Sequence, residues 1–181
     1  ILNANGFASE ILRFDRTDEY FYSSTGSYTE DSFSLVYRFE DIGVASFFES
    51  VQACTAATAR PVGAVRIAGR GADRYTCFFY PLYHPSSQLR SGTLVFLVGS
   101  ADLENYLSLY SDSAFLELTI LSPLGEIVYP NHLTQEEIAQ RLEVAGSVEA
   151  QTMTYDGRGY WITRQSSGAL GWRYVLYAPR A

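Results

Sequence analysis

Lysine is absent from this chain: all 13 of its formal cations are arginines. That absence removes Schiff-base chemistry and the phosphate-holding lysine of nucleotide loops. Histidine is nearly absent too. His84 and His132 each lie beside a proline or an asparagine in an expected loop, with no second donor at helical or strand spacing. Metal ligation needs several donors converging, so both read as solvated loop residues and no metal or organic cofactor is expected. Cys54 and Cys77 form no CxxC or Cys/His spacing. Two readings stay open for them: a pair of small buried hydrophobes, or the single disulfide of an exported chain. No apolar run approaches the roughly 18 residues that cross a bilayer. The excess of 20 acidic over 13 basic residues, a formal charge of −7, speaks against tracking nucleic-acid phosphates or anionic lipid.

What the chain does have is apolar and aromatic mass. Of its 181 residues, 47% are hydrophobic and 15% aromatic, enough for one mid-sized domain or two small packed ones. It opens on Ile1 and its single methionine is Met153, so a fragment or a processed product is expected, with any anchor outside it.

Apolar and β-branched residues flank a short charged break at Arg16-Thr17-Asp18, which predicts a hairpin of Ser9 to Asp15 with Glu19 to Ser24. Ser27 with Glu30 has the spacing of a capping box and predicts a helix through Phe33, Val36 and Tyr37. A second helix after Asp41 places Val44, Phe47, Phe48 and Val51 on one face. Thr55 to Gly63 reads as a loop. Strands follow at Ala64 to Ala68, Tyr75 to Leu82 and Thr93 to Val98, broken by Gly69-Arg70-Gly71 and His84-Pro85-Ser86-Ser87. Ser100 then opens a connecting helix with Leu103, Tyr106, Leu107 and Tyr110 on one side.

The same order begins again beyond it. Phe115 to Leu121 and Glu126 to Tyr129 form a hairpin around Pro123-Leu124-Gly125, and Thr134 with Glu137 caps a helix through Ile138 and Leu142. Strands near Val148 to Tyr155, Gly159 to Arg164 and Gly171 to Ala178 complete it, the first two joined at Asp156-Gly157-Arg158. Glu19, Tyr22, Ser27 and Glu30 recur as Glu126, Tyr129, Thr134 and Glu137, each 107 residues later. Two related units are therefore expected, the first carrying extra helical length.

A strand pair, a helical excursion and three antiparallel strands are the order of a PAS-like fold, and two in tandem resemble the double Cache domain. The segment Tyr20-Phe21-Tyr22-Ser23-Ser24-Thr25-Gly26-Ser27-Tyr28 resembles a stretch in the ectodomains of membrane-bound AraC-type transcriptional regulators and related sensor histidine kinases. Phe79-Tyr80-Pro81-Leu82, Gly92 to Val98, and Ser166-Ser167 through Gly171 to Val175 are similar in order and context. The resemblance implies an α+β fold of two antiparallel sheets with flanking helices. It divides the chain into a first, membrane-distal unit at 1–99, a connecting helix at 100–113, and a smaller, membrane-proximal unit at 114–181. It implies an extracytoplasmic, membrane-anchored sensor of a small molecule or partner protein, with no nucleic acid bound by this portion and homodimerisation left open. Such ectodomains usually start with a long helix that this chain lacks, which would leave one sheet face bare. Amino-acid-sensing members carry an Arg-aromatic-Tyr cluster and an Asp after the last strand of the distal unit. Here that strand ends Val98-Gly99-Ser100 with no such cluster upstream, so a standard α-amino acid is not implied.

Candidate chemistry is sparse. Ser166 and Ser167 have no GxSxG elbow and read as turn formers, and Gly69-Arg70-Gly71 lacks the third glycine and helix of a nucleotide loop. No catalytic set emerges, and an enzyme is not expected. A ligand pocket needs a few polar groups among apolar walls. The first unit offers Tyr37 and Arg38 at a helix end, Arg66, and Tyr75, Cys77 and Phe79 on one face of a strand. Arg66 either pairs a ligand carboxylate or faces water at a sheet edge; Tyr75, Cys77 and Phe79 line a pocket or fill the core. Tyr160, Trp161, Trp172 and Tyr174 suggest cross-strand aromatic packing. The rivals to a sensor are a protein-interaction module with a filled interior and an outer apolar patch, and a cytosolic enzyme or cofactor-bearing PAS domain.

Overall fold

The computed structural model describes residues 8–108, 117–130, 134, 136–137, 139, 143, 152–155, 158–168 and 171–179. The expectations for Tyr110, Phe115, His132, Ile138, Leu142, the stretch 148–151 and the 156–157 turn lie outside them. The chain divides into two compact units, Ile1–Glu104 and Asn105–Ala181.

The first unit is a seven-stranded antiparallel sheet in the order β3-β2-β1-β7-β6-β5-β4. Its strands are β1 (Glu10–Asp15), β2 (Tyr20–Tyr22), β3 (Ser27–Tyr28), β4 (Tyr37–Phe39), β5 (Thr58–Ile67), β6 (Ala72–Tyr83) and β7 (Arg90–Gly99). Period-two alternation sets the inner face: Leu12 and Phe14 on β1, Phe21 on β2, Cys77 and Phe79 on β6, and Val95 and Leu97 on β7 are all buried. Two helices cover that face, α1 (Glu30–Val36) and α2 (Gly43–Ala53). The α2 residues Phe47, Phe48 and Val51 recur at helical spacing and enter the same core as Phe33 of α1. Phe47 stacks on Phe33 and Phe39 with centroids 5.6 and 4.3 Å away. The C-terminal carbonyls of α2 are held from the sheet. Arg90 donates to the carbonyls of Val51 and Gln52, and Thr93 Oγ1 donates to Val51 at 2.8 Å.

Several local expectations are corrected. Ser27 is not a helix cap: Ser27–Tyr28 pairs with β2, and the cap is Thr29, whose hydroxyl accepts from the Ser32 N–H. The β2–β3 turn pulls the chain back onto the sheet before the helix can begin, so the cap falls two residues later. The loop expected at Thr55 to Gly63 is largely strand, since Thr58 already faces Phe79. Its proline and glycine fall at a β-bulge between Pro61 and Gly63, where a glycine at φ +72° and a missing N–H are tolerated.

A third helix, α3 (Ser100–Ser108), follows β7 directly, with Leu103 buried. The second unit is a five-stranded antiparallel sheet, β10-β11-β12-β8-β9. It is built from β8 (Glu117–Leu121), β9 (Ile127–Tyr129), β10 (Thr152–Tyr155), β11 (Arg158–Ser166) and β12 (Arg173–Pro179). Leu121, Ile162, Val175 and Tyr177 form its core cluster. The second capping box is reciprocal as expected: Glu137 N–H donates to Thr134 Oγ1 at 3.3 Å, and Thr134 N–H donates to the Glu137 carboxylate at 2.7 Å. The 107-residue repeat thus holds for the hairpins and fails for the caps. Ser166 ends β11, while Ser167 makes the turn by pairing with Trp172 and Gly171. The register places Trp161 opposite Thr152 and Ala178 and Tyr174 opposite Gln165, and Trp172 meets Tyr174 two residues along the chain, with centroids 6.3 Å apart, rather than across strands as expected.

Candidate functional site

The six residues singled out from sequence fall into three places in the first unit, with Tyr37 shared between two of them. Cys77 and Phe79 have no exposure and belong to the core, Phe79 standing 6.1 Å from the Phe47 ring. Burial pushes the Cys77 thiol well above its ordinary range, and Cys54 is shifted up by the same cause. Both cysteines are free thiols.

Arg38 and Arg66 are direct cross-strand partners on β4 and β5. Arg66 is not on an edge strand, because β4 lies outside it. Two guanidiniums placed opposite repel, and Arg66 meets the Glu40 carboxylate at 3.3 Å. Together with Ser34, Tyr37, Phe39 and Val44 these three line an open cleft of about 530 Å³. All three charged side chains are solvated, so a carboxylate bound there would gain little over water.

Tyr37 and Tyr75 mark a third place, at the polar end of the interior. Glu10 is its centre. It alternates in phase with Leu12 and Phe14, so β1 carries a carboxylate onto the inner face, and its side chain is 2% exposed. Ser24 donates to Glu10 Oε1 at a long 3.3 Å, and the nearest cation, Arg70 Nη1, stands 3.8 Å from Oε2. Arg70 comes from the β5–β6 turn, where it also donates to the Ser9 carbonyl at 3.2 Å. Among the described residues Oε2 accepts no hydrogen bond.

The wall beside Glu10 is aromatic. Tyr37 is fully buried, stacked on Phe33 at 4.5 Å and edge-on to Tyr28 at 5.9 Å. Its hydroxyl has no hydrogen-bond partner among the described residues. Burial pushes this phenol up to about 12, Glu10 adds to the shift, and the nearby Ser23 and Thr25 hydroxyls oppose it without completing a hydrogen bond. The Ser23–Gly26 loop is tied to itself instead, Ser23 to Thr25 at 2.8 Å and Thr25 to the Tyr28 hydroxyl at 2.9 Å. Tyr75 is raised by burial and then by Asp73, with Asp102 and Glu10 adding and Arg70 opposing. Three carboxylates and one guanidinium therefore set the field there.

Sequence reasoning missed Glu10. The signal was present: an acidic residue in the apolar phase of an alternating strand. What could not be read is that Tyr37, near the far edge of the sheet order, closes over the same interior.

On the outer face of the sheet, Phe78, Tyr80, Leu94 and Phe96 line an apolar depression of about 450 Å³. His84 sits in an exposed turn with Ser86 at 2.9 Å from Nδ1. Among the described residues no group of three or more His, Cys, Asp or Glu is placed to hold a metal, and no helix is long and apolar enough to cross a membrane.

No family model and no curated protein matches the sequence. Solved structures do match its fold. The ligand-binding domain of the Pseudomonas aeruginosa PAO1 amino-acid chemoreceptor PctB, in complex with L-Arg, aligns at TM-score 0.59 and 9% identity over 96% of this chain and 72% of that one. The ligand-binding domain of the Pseudomonas fluorescens chemoreceptor CtaA, in complex with L-serine, aligns at 0.55 and 12% over 95% and 73%. The extracellular domain of the putative histidine kinase vpHK1S-Z8 aligns at 0.53 and 14% over 97% and 71%. The chain has the α+β, tandem PAS-like fold of Cache-type ligand-binding ectodomains.

Proposed function

We propose that this chain is the extracytoplasmic ligand-sensing domain of a membrane-anchored bacterial signalling protein, and that it carries no catalytic activity. The observation that supports it most is the polar end of the first unit's interior: an enclosed carboxylate and an unpartnered phenol set among aromatic rings. Core packing alone gives no reason for either group, because each costs free energy until a partner arrives. The first unit is the membrane-distal, ligand-binding one. Binding there favours one of two conformations by the difference in affinity between them, and β12 passes the change toward the membrane. The structural likenesses favour a chemoreceptor or a histidine kinase as parent; nothing in the fold speaks for the AraC-type output that the sequence resemblance suggests.

Thermal-shift screening of the chain against amines, sugars, organic acids and peptides tests the reading. A ligand raises the melting temperature in a saturable way, and substitutions at Glu10 or Tyr37 abolish that rise. A ligand whose effect survives both substitutions moves the site elsewhere. One observation favours a second reading, a protein-interaction module: the core behind Cys77 and Phe79 is filled, and the outer face carries the Phe78, Tyr80, Leu94 and Phe96 depression. Concentration-dependent association lost on Tyr80→Ser and Leu94→Ser, with a silent ligand screen, decides for it.

A further inference from the structure

Resting on the sensing reading, we infer that the ligand of the first unit is a small protonated amine, received by Glu10 and the Tyr37 hydroxyl, with Arg70 as a displaceable stand-in for its ammonium group. The charge of the site selects the ligand. An enclosed carboxylate needs a cation or strong donors, and Glu10 has one long hydrogen bond and a guanidinium held 3.8 Å away. Arg70 is divided between Glu10 and the Ser9 carbonyl, with its side chain 52% exposed, so little ties it to the carboxylate. A compact ammonium has three donors and no planar fork to orient. It can donate directly to Oε2 and leave Arg70 to water.

The surroundings disfavour the opposite charge: Asp73 and Asp102 converge at Gly99 beside Ser9, the residue before Glu10, so a carboxylate ligand would enter among like charges with Arg70 as the nearby guanidinium. Tyr37, stacked on Phe33, and the edge-on Tyr28 make the wall beside Glu10 aromatic, surroundings that suit an alkylammonium better than an anion. The Tyr37 hydroxyl, fully buried and unpartnered, is a second polar contact for the ligand's head.

Four compounds built on a four-carbon chain separate the alternatives: 1-butylamine, 1,4-diaminobutane, succinate and 1,4-butanediol, added to the chain at matched ionic strength. One or both amines should raise the melting temperature by at least about 2 °C at saturation, while succinate and the diol do not. Glu10→Gln should abolish that rise. Arg70→Ala should lower the amine concentration at half-effect by about threefold or more, because the competing cation is gone. Tyr37→Phe should weaken binding while leaving the protein folded, which covers the case in which a Glu10 variant does not fold. No shift with either amine, an equal shift in Glu10→Gln, or an unchanged or weakened amine response in Arg70→Ala overturns the inference. Stabilisation by succinate or the diol alone overturns it and leaves the sensing reading standing. A broad screen without any hit removes both.

Discussion

Tyr37 gives its ring to the core and leaves its hydroxyl without a partner. An orphaned buried hydroxyl costs more than it returns, so Tyr37→Phe should raise the unfolding free energy by about 1 kcal/mol in the absence of ligand, measured by urea titration. The same phenol has a pH signature. Its pKa is pushed up to about 12 from 10.0, so the folded state holds the proton more tightly than the unfolded chain. That contribution is complete below pH 10 and is lost as pH rises toward 12, a loss that Tyr37→Phe should remove from the alkaline limb of the stability curve. The thiols make a second residue-scale prediction. Cys54 and Cys77 are buried with raised pKa values, and the thiolate is the reactive form. Native protein at pH 8 should react with no Ellman's reagent, and unfolded protein should titrate two thiols without reductant.

At the scale of elements, side chains remote from the site hold helix to sheet and strand to strand. Arg90 serves the C-terminal carbonyls of α2 and Thr93 from β7 and among the described residues is bound to no carboxylate; burial and nearby Arg16 lower its pKa. Arg90→Leu should cost about 1.5–3 kcal/mol, the range of hydrogen bonds to a charged group, read from a chemical melt. Gly92 is fixed by close approach: a Cβ there would stand 2.1 Å from the Phe14 carbonyl oxygen on β1. Gly92→Ala should therefore pry β1 from β7 and cost about 2 kcal/mol or more. Because β1 carries Glu10, hydrogen exchange should speed along β1 in that variant and any ligand response should fall with it. These contacts show why local reading went wrong where it did. The Ser27 cap failed because β2 recruited that residue into pairing, and the Thr55 to Gly63 loop failed because β6 extends far enough to pair with a proline-bearing strand at a bulge.

For the whole molecule, charge and layering decide which partners are open to it. With 20 acidic against 13 basic residues, a net charge of −7, the chain as a whole repels the phosphate backbone. It should not retard duplex DNA in a gel-shift at 150 mM salt, whatever the output of its parent. Each unit has its own core cluster. The polar end of the interior lies in the unit whose sheet is covered by both α1 and α2, where apolar walls exclude water from a charged group.

Hydrophobic periodicity by itself determined most strands, the two core helices and the pairing of the hairpins, because these depend on residue type and short spacing. The α+β class and the tandem arrangement followed from that order. Which face of β1 is inner, and therefore that Glu10 is enclosed, was also implicit in its alternation with Leu12 and Phe14. Only the tertiary structure separated the six sequence candidates into core, solvated cleft and polar interior. That outcome depends on how a seven-stranded sheet brings its two outer strands and their helices over one end of β1, a long-range closure that no local pattern encodes.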